Sequence, residues 1–175
     1  EFIEGLKNKY GDHILIPEGG FSLTGKKGAA LIHSYFNDKS FTHICVPVGT
    51  ATTFAGLTDS NDSKSEVLGF SVLKNFEDIK ERFTQLKVNP LKKYSINADY
   101  HFGGYAKKTN ALISFMNRFH EQHNIPLDFV YTAKMMFGVN DLVRKKYFAA
   151  GSRILCIHTG GLQGNKSLPD GTLMY

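Results

Sequence analysis

Residues 42–57 read THICVPVGTATTFAGL, and the fold turns on how this stretch divides. Its apolar run, ICVPV, shows no polar alternation, which fits a strand buried on both faces, as in a parallel sheet. Gly49 and the hydroxyl residues Thr50, Thr52 and Thr53 follow, and the chain then takes on a helical pattern. At a helix start the backbone amides point outward, and hydroxyls beside them make a place for an anion. A plain helix N-cap by Thr50 or Thr52 accounts for the same residues equally well. A Walker A loop is excluded, because Gly56 is followed by Leu57 and not by lysine. The dinucleotide fingerprint G-x-G-x-x-G is not met by GTATTFAG either.

The same alternation extends in both directions. HILIPE (13–18) reads as a strand, and a helix follows around Lys27 to Phe36, with Ala29, Ile32 and Phe36 on one face. SEVLGFSVL (65–73) is a second buried-strand run. Phe76, Ile79, Phe83 and Leu86 then fall at helical spacing before a strand in KKYSINADY (92–100). Two amphipathic helices follow. One, over 108–124, carries Leu112, Phe115, Met116 and Phe119; the next carries Met135, Val139, Leu142 and Val143. RILCIH (153–158) is a last buried strand ending in TGGLQG. The expectation is an α/β fold of three layers, with a mostly parallel sheet flanked by helices.

The chain has 175 residues, 42% apolar and 21% charged, which suits one domain or one large lobe with a real core. No apolar stretch approaches a membrane span and no secretory pattern is present, so a cytoplasmic setting is expected. Cys45 and Cys156 each lie in an apolar run and read as buried thiols, not as a disulfide or metal pair. The formal charge of +5 comes from scattered pairs such as Lys26–Lys27 and Lys107–Lys108. Such pairs are read as solvated helix faces, which argues against nucleic acid and leaves an anionic small molecule as the partner the field favours. Glu1 opens the chain inside an amphipathic helix, EFIEGLKNKY, which suggests a piece of something longer.

In open α/β sheets ligands gather beyond the carboxyl ends of the strands. Two such ends carry unusual chemistry, VPVGTATT and CIHTGGLQG. DYHFGGYAKKTN (99–110) and VYTAKMMFG (130–138) each place a tyrosine, Tyr105 and Tyr131, just ahead of a helix; a lone tyrosine in such a place usually packs. His101 and His158 are possible acid/base groups or ligands, but no set of ligands at metal spacing accompanies them, so no metal is expected. The spacings give no serine–histidine–aspartate arrangement.

Four segments taken together, HILIPEGGFSLTGKKGAALI, VPVGTATTFAGL, ADYHFGGYAKKT and LDFVYTAKMMFGVNDLVRKKYFAAGSRILCIHTGGLQG, resemble the 1-aminocyclopropane-1-carboxylate deaminase/D-cysteine desulfhydrase family. These are pyridoxal-phosphate enzymes of the tryptophan-synthase-β fold type. The resemblance implies that residues 1–175 are the C-terminal portion of such an enzyme, mostly its cofactor-binding domain, without the N-terminal part. It implies a cofactor-phosphate cradle at Gly49, Thr50, Ala51, Thr52 and Thr53, although the family commonly has more glycine where Ala51 and Thr52 stand. Thr159 matches the hydroxyl residue near the pyridine nitrogen. Thr132 stands where cyclopropane-opening members carry glutamate and D-cysteine desulfhydrases carry threonine. Tyr131 and Tyr105 match the two active-site tyrosines, which orient substrate or, with a lowered pKa, move a proton or attack.

The resemblance also implies a lysine amine that holds the cofactor aldehyde, in a segment preceding Glu1. Gly164 to Lys166 spell GNK, but beyond the HTGG strand end, so Lys166 is read as a surface residue; Lys134 is read as structural. The expected activity is deamination or elimination on a small amino acid, releasing a 2-oxo acid and ammonia, by a homodimer with no membrane partner. A non-catalytic ligand-binding domain that kept the fold is the other reading open at this stage.

Overall fold

A computed structural model describes residues 2–36, 40–62, 64–75 and 77–175. Four strands form one all-parallel sheet in the order β3-β2-β1-β4. They are β1 (His43–Val48), β2 (Glu66–Ser71), β3 (Tyr94–Asn97) and β4 (Ile154–Cys156). Among the described residues six α-helices accompany them: α1 (Phe2–Tyr10), α2 (Leu23–Ala30), α3 (Thr52–Ser60), α4 (Ile79–Gln85), α5 (Asn110–His123) and α6 (Thr132–Arg144). The central strand is β1. It pairs with β2 along its whole length, from His43 opposite Glu66 to Val48 opposite Ser71, and with β4 from His43 opposite Ile154 to Cys45 opposite Cys156.

Successive strand residues point to opposite faces, and two cores result. Val46, Val48 and Val67 pack with Phe54 and Leu57 of α3 and with Phe83 of α4. Cys45, Leu68 and Phe70 point the other way, onto Met135, Val139 and Leu142 of α6. Behind α6, Leu112, Phe115 and Met116 of α5 pack with Ala133. This is the expected three-layer arrangement. Phe54 and Leu57 are wholly buried, and each contributes about 1.5–3 kcal/mol by leaving water. The thiols of Cys45 and Cys156 are free, as expected, and face one another across the β1–β4 ladder. Their mutual hydrogen bond and burial push the Cys45 pKa up.

Three local expectations are corrected. HILIPE forms no strand: Ile14 is 92% exposed and no described strand pairs with residues 13–17, so their backbone groups have no ladder to satisfy them. The helix expected from Lys27 begins four residues earlier, at Leu23, because the Ser22 hydroxyl accepts from the Gly25 amide at 2.9 Å and starts it there. It tightens into a 3-10 turn over Leu31–Tyr35. Lys26 is not solvated: it is buried, donating to Asp59 at 2.9 Å and to the Lys87 carbonyl at 3.1 Å. Phe76 lies outside the described residues. Among the described helices none is long and apolar enough to cross a membrane.

Candidate active site

From β1 the chain proceeds to β2 and β3 on one side, whereas β4 lies on the other. The crevice beyond the carboxyl ends of β1 and β4 is therefore the switch point of the sheet, where ligands of open α/β folds bind. A cavity of about 300 Å³ lies there. Gly49, Thr50, Ala51, Thr52 and Thr53 line it together with Thr159, Gly160, Gly161 and Tyr131.

The cradle's backbone explains its composition. Ala51 is the N-cap of α3, with φ +74°, a left-handed conformation that costs an alanine about 1–2 kcal/mol and a glycine nothing. The place where the family resemblance led one to expect glycine thus has the backbone of a glycine. As N-cap, Ala51 has no side chain to satisfy the helix start, and no capping bond is made. The amides of Thr52, Thr53 and Phe54 belong to that first turn and aim toward the crevice end of α3. The alternative reading, capping by Thr50 or Thr52, does not hold. The Thr50 hydroxyl pairs instead with that of Thr52 at 3.1 Å and reaches the Gly19 carbonyl at 3.4 Å. Arg82 of α4 donates to the Thr50 carbonyl at 3.4 Å while its Nε holds Asp78, so a cation braces the loop from behind. An anion's oxygens would meet amides, hydroxyls and a positive helix end here, and the donor set fits a phosphate.

Gly49 is needed for a different reason. A Cβ there would come within 3.1 Å of the Tyr131 ring, so the bare backbone lets the tyrosine close over the loop. Tyr131 is itself fixed by a residue the sequence reading passed over. Asp128 is fully buried, and its Oδ1 accepts from the amides of Val130 at 3.0 Å and Tyr131 at 2.7 Å. Its Oδ2 accepts from the Thr132 amide at 2.8 Å and the Thr132 hydroxyl at 2.6 Å. One carboxylate thereby satisfies three amides at the start of α6. The signal available was an aspartate just ahead of a helical pattern, in LDFVYT. Glu18 and Gln163 were also passed over, and both line the cavity.

Thr132 is fully buried, and its hydroxyl is turned back onto Asp128 and not into the cavity. Tyr105 is exposed and meets Tyr131 edge-on, with ring centroids 6.0 Å apart at 71°. It is not among the cavity-lining residues. Burial raises the Tyr131 phenol's pKa, helped by the neighbouring Tyr105 and the charges of Asp128 and Glu18. The raised pKa favours the neutral phenol, the opposite direction from what proton abstraction would ask of it. His158 accepts the Gly160 amide at Nδ1 and faces the Pro126 carbonyl through Nε2, bracing the Thr159–Gly161 turn. His101 likewise accepts the Gly103 amide. No lysine is among the described residues lining the cavity. Lys166 is exposed on the 3-10 turn Leu162–Ser167, as expected, and Lys134 is buried.

Comparison with known proteins agrees with this architecture. A Pyrococcus horikoshii protein described as a candidate 1-aminocyclopropane-1-carboxylate deaminase is 31% identical over 94% of this chain and 54% of its own length. A D-cysteine desulfhydrase from Yersinia pestis is 25% identical over 84% of this chain and 50% of its own. The crystal structure of an ACC deaminase homologue superposes with a TM-score of 0.75 at 31% identity, over 93% of this chain and 53% of that one. The processed form of threonine deaminase isoform 2 from Solanum lycopersicum shares the fold, with a TM-score of 0.51 at 13% identity, over 90% of this chain and 51% of that one. No protein-family model matches. The chain spans about half the length of the curated relatives it matches.

Proposed function

We propose that this chain, homologous over nearly all its length to the 1-aminocyclopropane-1-carboxylate deaminase/D-cysteine desulfhydrase family, supplies the cofactor cradle and one wall of the active site of a pyridoxal-phosphate-dependent deaminase or lyase. The observation that carries this is the uncapped start of α3 at the sheet's switch point, with threonine hydroxyls beside it and Tyr131 closing over Gly49. The amides of Thr52, Thr53 and Phe54 and the hydroxyls of Thr50 and Thr53 would hold the phosphate. When bound, pyridoxal phosphate supplies an electron-withdrawing ring that acidifies the α-proton of an attached amino acid.

The chain's own residues orient and insulate. Tyr131, favoured as the neutral phenol, lines the cavity and would offer its Oη there as a donor. Thr159 lines the same cavity with an uncharged hydroxyl, so a pyridine nitrogen held beside it would stay largely unprotonated and the electron sink would be moderate. The lysine amine that holds the aldehyde is proposed to come from outside these 175 residues, since Lys134 is engaged elsewhere and Lys166 lies on another surface.

Substrate choice is read from Thr132. Its hydroxyl is locked on Asp128 and leaves no carboxylate near the cavity from that position. This favours elimination from D-cysteine, which with one water gives pyruvate, sulfide and ammonia, over opening of the cyclopropane ring, which with one water gives 2-oxobutyrate and ammonia. The whole protein is proposed to work as a homodimer, checked by its native mass. The test is to incubate the full-length protein, loaded with pyridoxal phosphate, with each substrate and measure keto acid. Pyruvate from D-cysteine with little 2-oxobutyrate is expected. Failure to acquire an absorbing cofactor would replace this reading by a non-catalytic binding domain.

A further inference from the structure

Lys134 lies on α6, three residues beyond Tyr131, and is fully buried without a carboxylate partner in hydrogen-bond contact among the described residues. Its Nζ donates to the His101 carbonyl at 2.9 Å and to the Gly104 carbonyl at 2.6 Å. Both acceptors belong to the loop after β3. The two carbonyls already close turns, accepting from the amides of Gly104 at 3.0 Å and Lys107 at 3.1 Å, and the amine fills their remaining lone pairs.

The loop needs such a tie. Phe102, Gly103, Gly104 and Ala106 all have positive φ. The two non-glycine residues cost about 1–2 kcal/mol each, a strain that persists only where surroundings over-determine it. Tyr105 sits inside this strained run and meets Tyr131 edge-on. The same short stretch of α6 thus carries both the cavity-lining tyrosine and the amine that fixes the second tyrosine's loop.

We propose that Lys134 is a positioning residue, whose ammonium clamps loop residues 101–104 so that Tyr105 is held against Tyr131. The clamp stands on geometry alone; only its effect on turnover rests on the function proposed above.

The test uses full-length Lys134→Met, which keeps the apolar stem's volume and removes the donors. Amides of residues 103–107 are expected to exchange at least tenfold faster, while those of Val139 to Leu142 keep their protection. In ultraviolet titration, with Tyr131→Phe used to assign the signal, Tyr131 should move down toward the ordinary tyrosine value. A mere space-filling lysine would leave both readouts unmoved, or speed exchange equally everywhere, and either result overturns the clamp. Should the variant not fold, competitive acylation of the native protein decides. Lys134 should be the slowest to react of Lys107, Lys108 and Lys134, and equal reactivity would refute the clamp. If keto-acid release is found, Lys134→Met and Tyr105→Phe should each lower kcat, and the double variant no further than the worse single one. Absence of turnover counts against the proposed function and leaves the exchange and titration results standing.

Discussion

Replacing Asp128 by asparagine isolates the contact that builds the Tyr131 wall. The substitution is nearly isosteric, so packing is conserved while the carboxylate's charge is lost and its hydrogen-bond polarity changes. Oδ1 and Oδ2 of Asp128 each accept two bonds, at 2.7 and 3.0 Å and at 2.6 and 2.8 Å. Asparagine has one acceptor oxygen, so either amide orientation turns an NH₂ group toward two donors. The Thr132 hydroxyl has only a poor alternative, the Asp128 carbonyl at 3.5 Å. Bonds to a charged acceptor are worth about 1.5–3 kcal/mol, and a buried donor left unmatched costs about 1–3 kcal/mol. With partial relaxation, the net loss should be about 2–3 kcal/mol. Equilibrium denaturation of the full-length protein measures it, with Asp99→Asn, an exposed position, as a control expected within about 0.5 kcal/mol. Amides 130–132 should also lose exchange protection first. A loss below about 0.5 kcal/mol for Asp128→Asn would refute the view that this carboxylate holds the start of α6.

Other consequences follow from the same contacts. Ala51→Gly should be nearly neutral, because relief of about 1–2 kcal/mol of left-handed strain is offset by unfolded-chain entropy of about 0.4–1 kcal/mol and by the lost burial of a methyl worth about 0.8 kcal/mol; Ala51→Val should cost at least about 2 kcal/mol by denaturation and abolish cofactor uptake. Thr53→Asp sets two readouts against each other: a carboxylate in the first turn of α3 should add about 0.3–1 kcal/mol of stability, while titration with pyridoxal phosphate shows at least a tenfold loss of affinity, about 1.4 kcal/mol. Burial lowers the Lys134 pKa to about 8, with Asp128 opposing that shift. Between pH 8 and 10 the unfolded chain binds the extra proton, so this group makes stability rise with pH; wild type should gain on the order of 2 kcal/mol relative to Lys134→Met across that window, and a pH-independent difference would contradict it.

The parallel sheet was legible because β1 and β2 are continuous apolar runs, and the two core faces follow from their alternation. HILIPE misled for the same reason: composition reports the capacity to form a strand, whereas a strand also needs a neighbour to pair with. The cradle's positions were legible through the family resemblance, but not its conformation. Alanine is a strong helix former, and nothing local announces a left-handed N-cap at Ala51. Asp128 escaped because its partners are mostly backbone amides, which leave no mark in sequence. Lys134 could be placed as structural, but its acceptors lie some thirty residues earlier on a loop whose shape depends on positive φ values.

The central claim is that the start of α3 beside Tyr131 is a phosphate cradle. A crystal structure of the full-length protein grown with pyridoxal phosphate tests it most directly. The account predicts phosphate oxygens within hydrogen-bond distance of the Thr52 and Thr53 amides, with the pyridine ring between Tyr131 and Thr159. A phosphate bound elsewhere, with those amides facing only solvent, would contradict it.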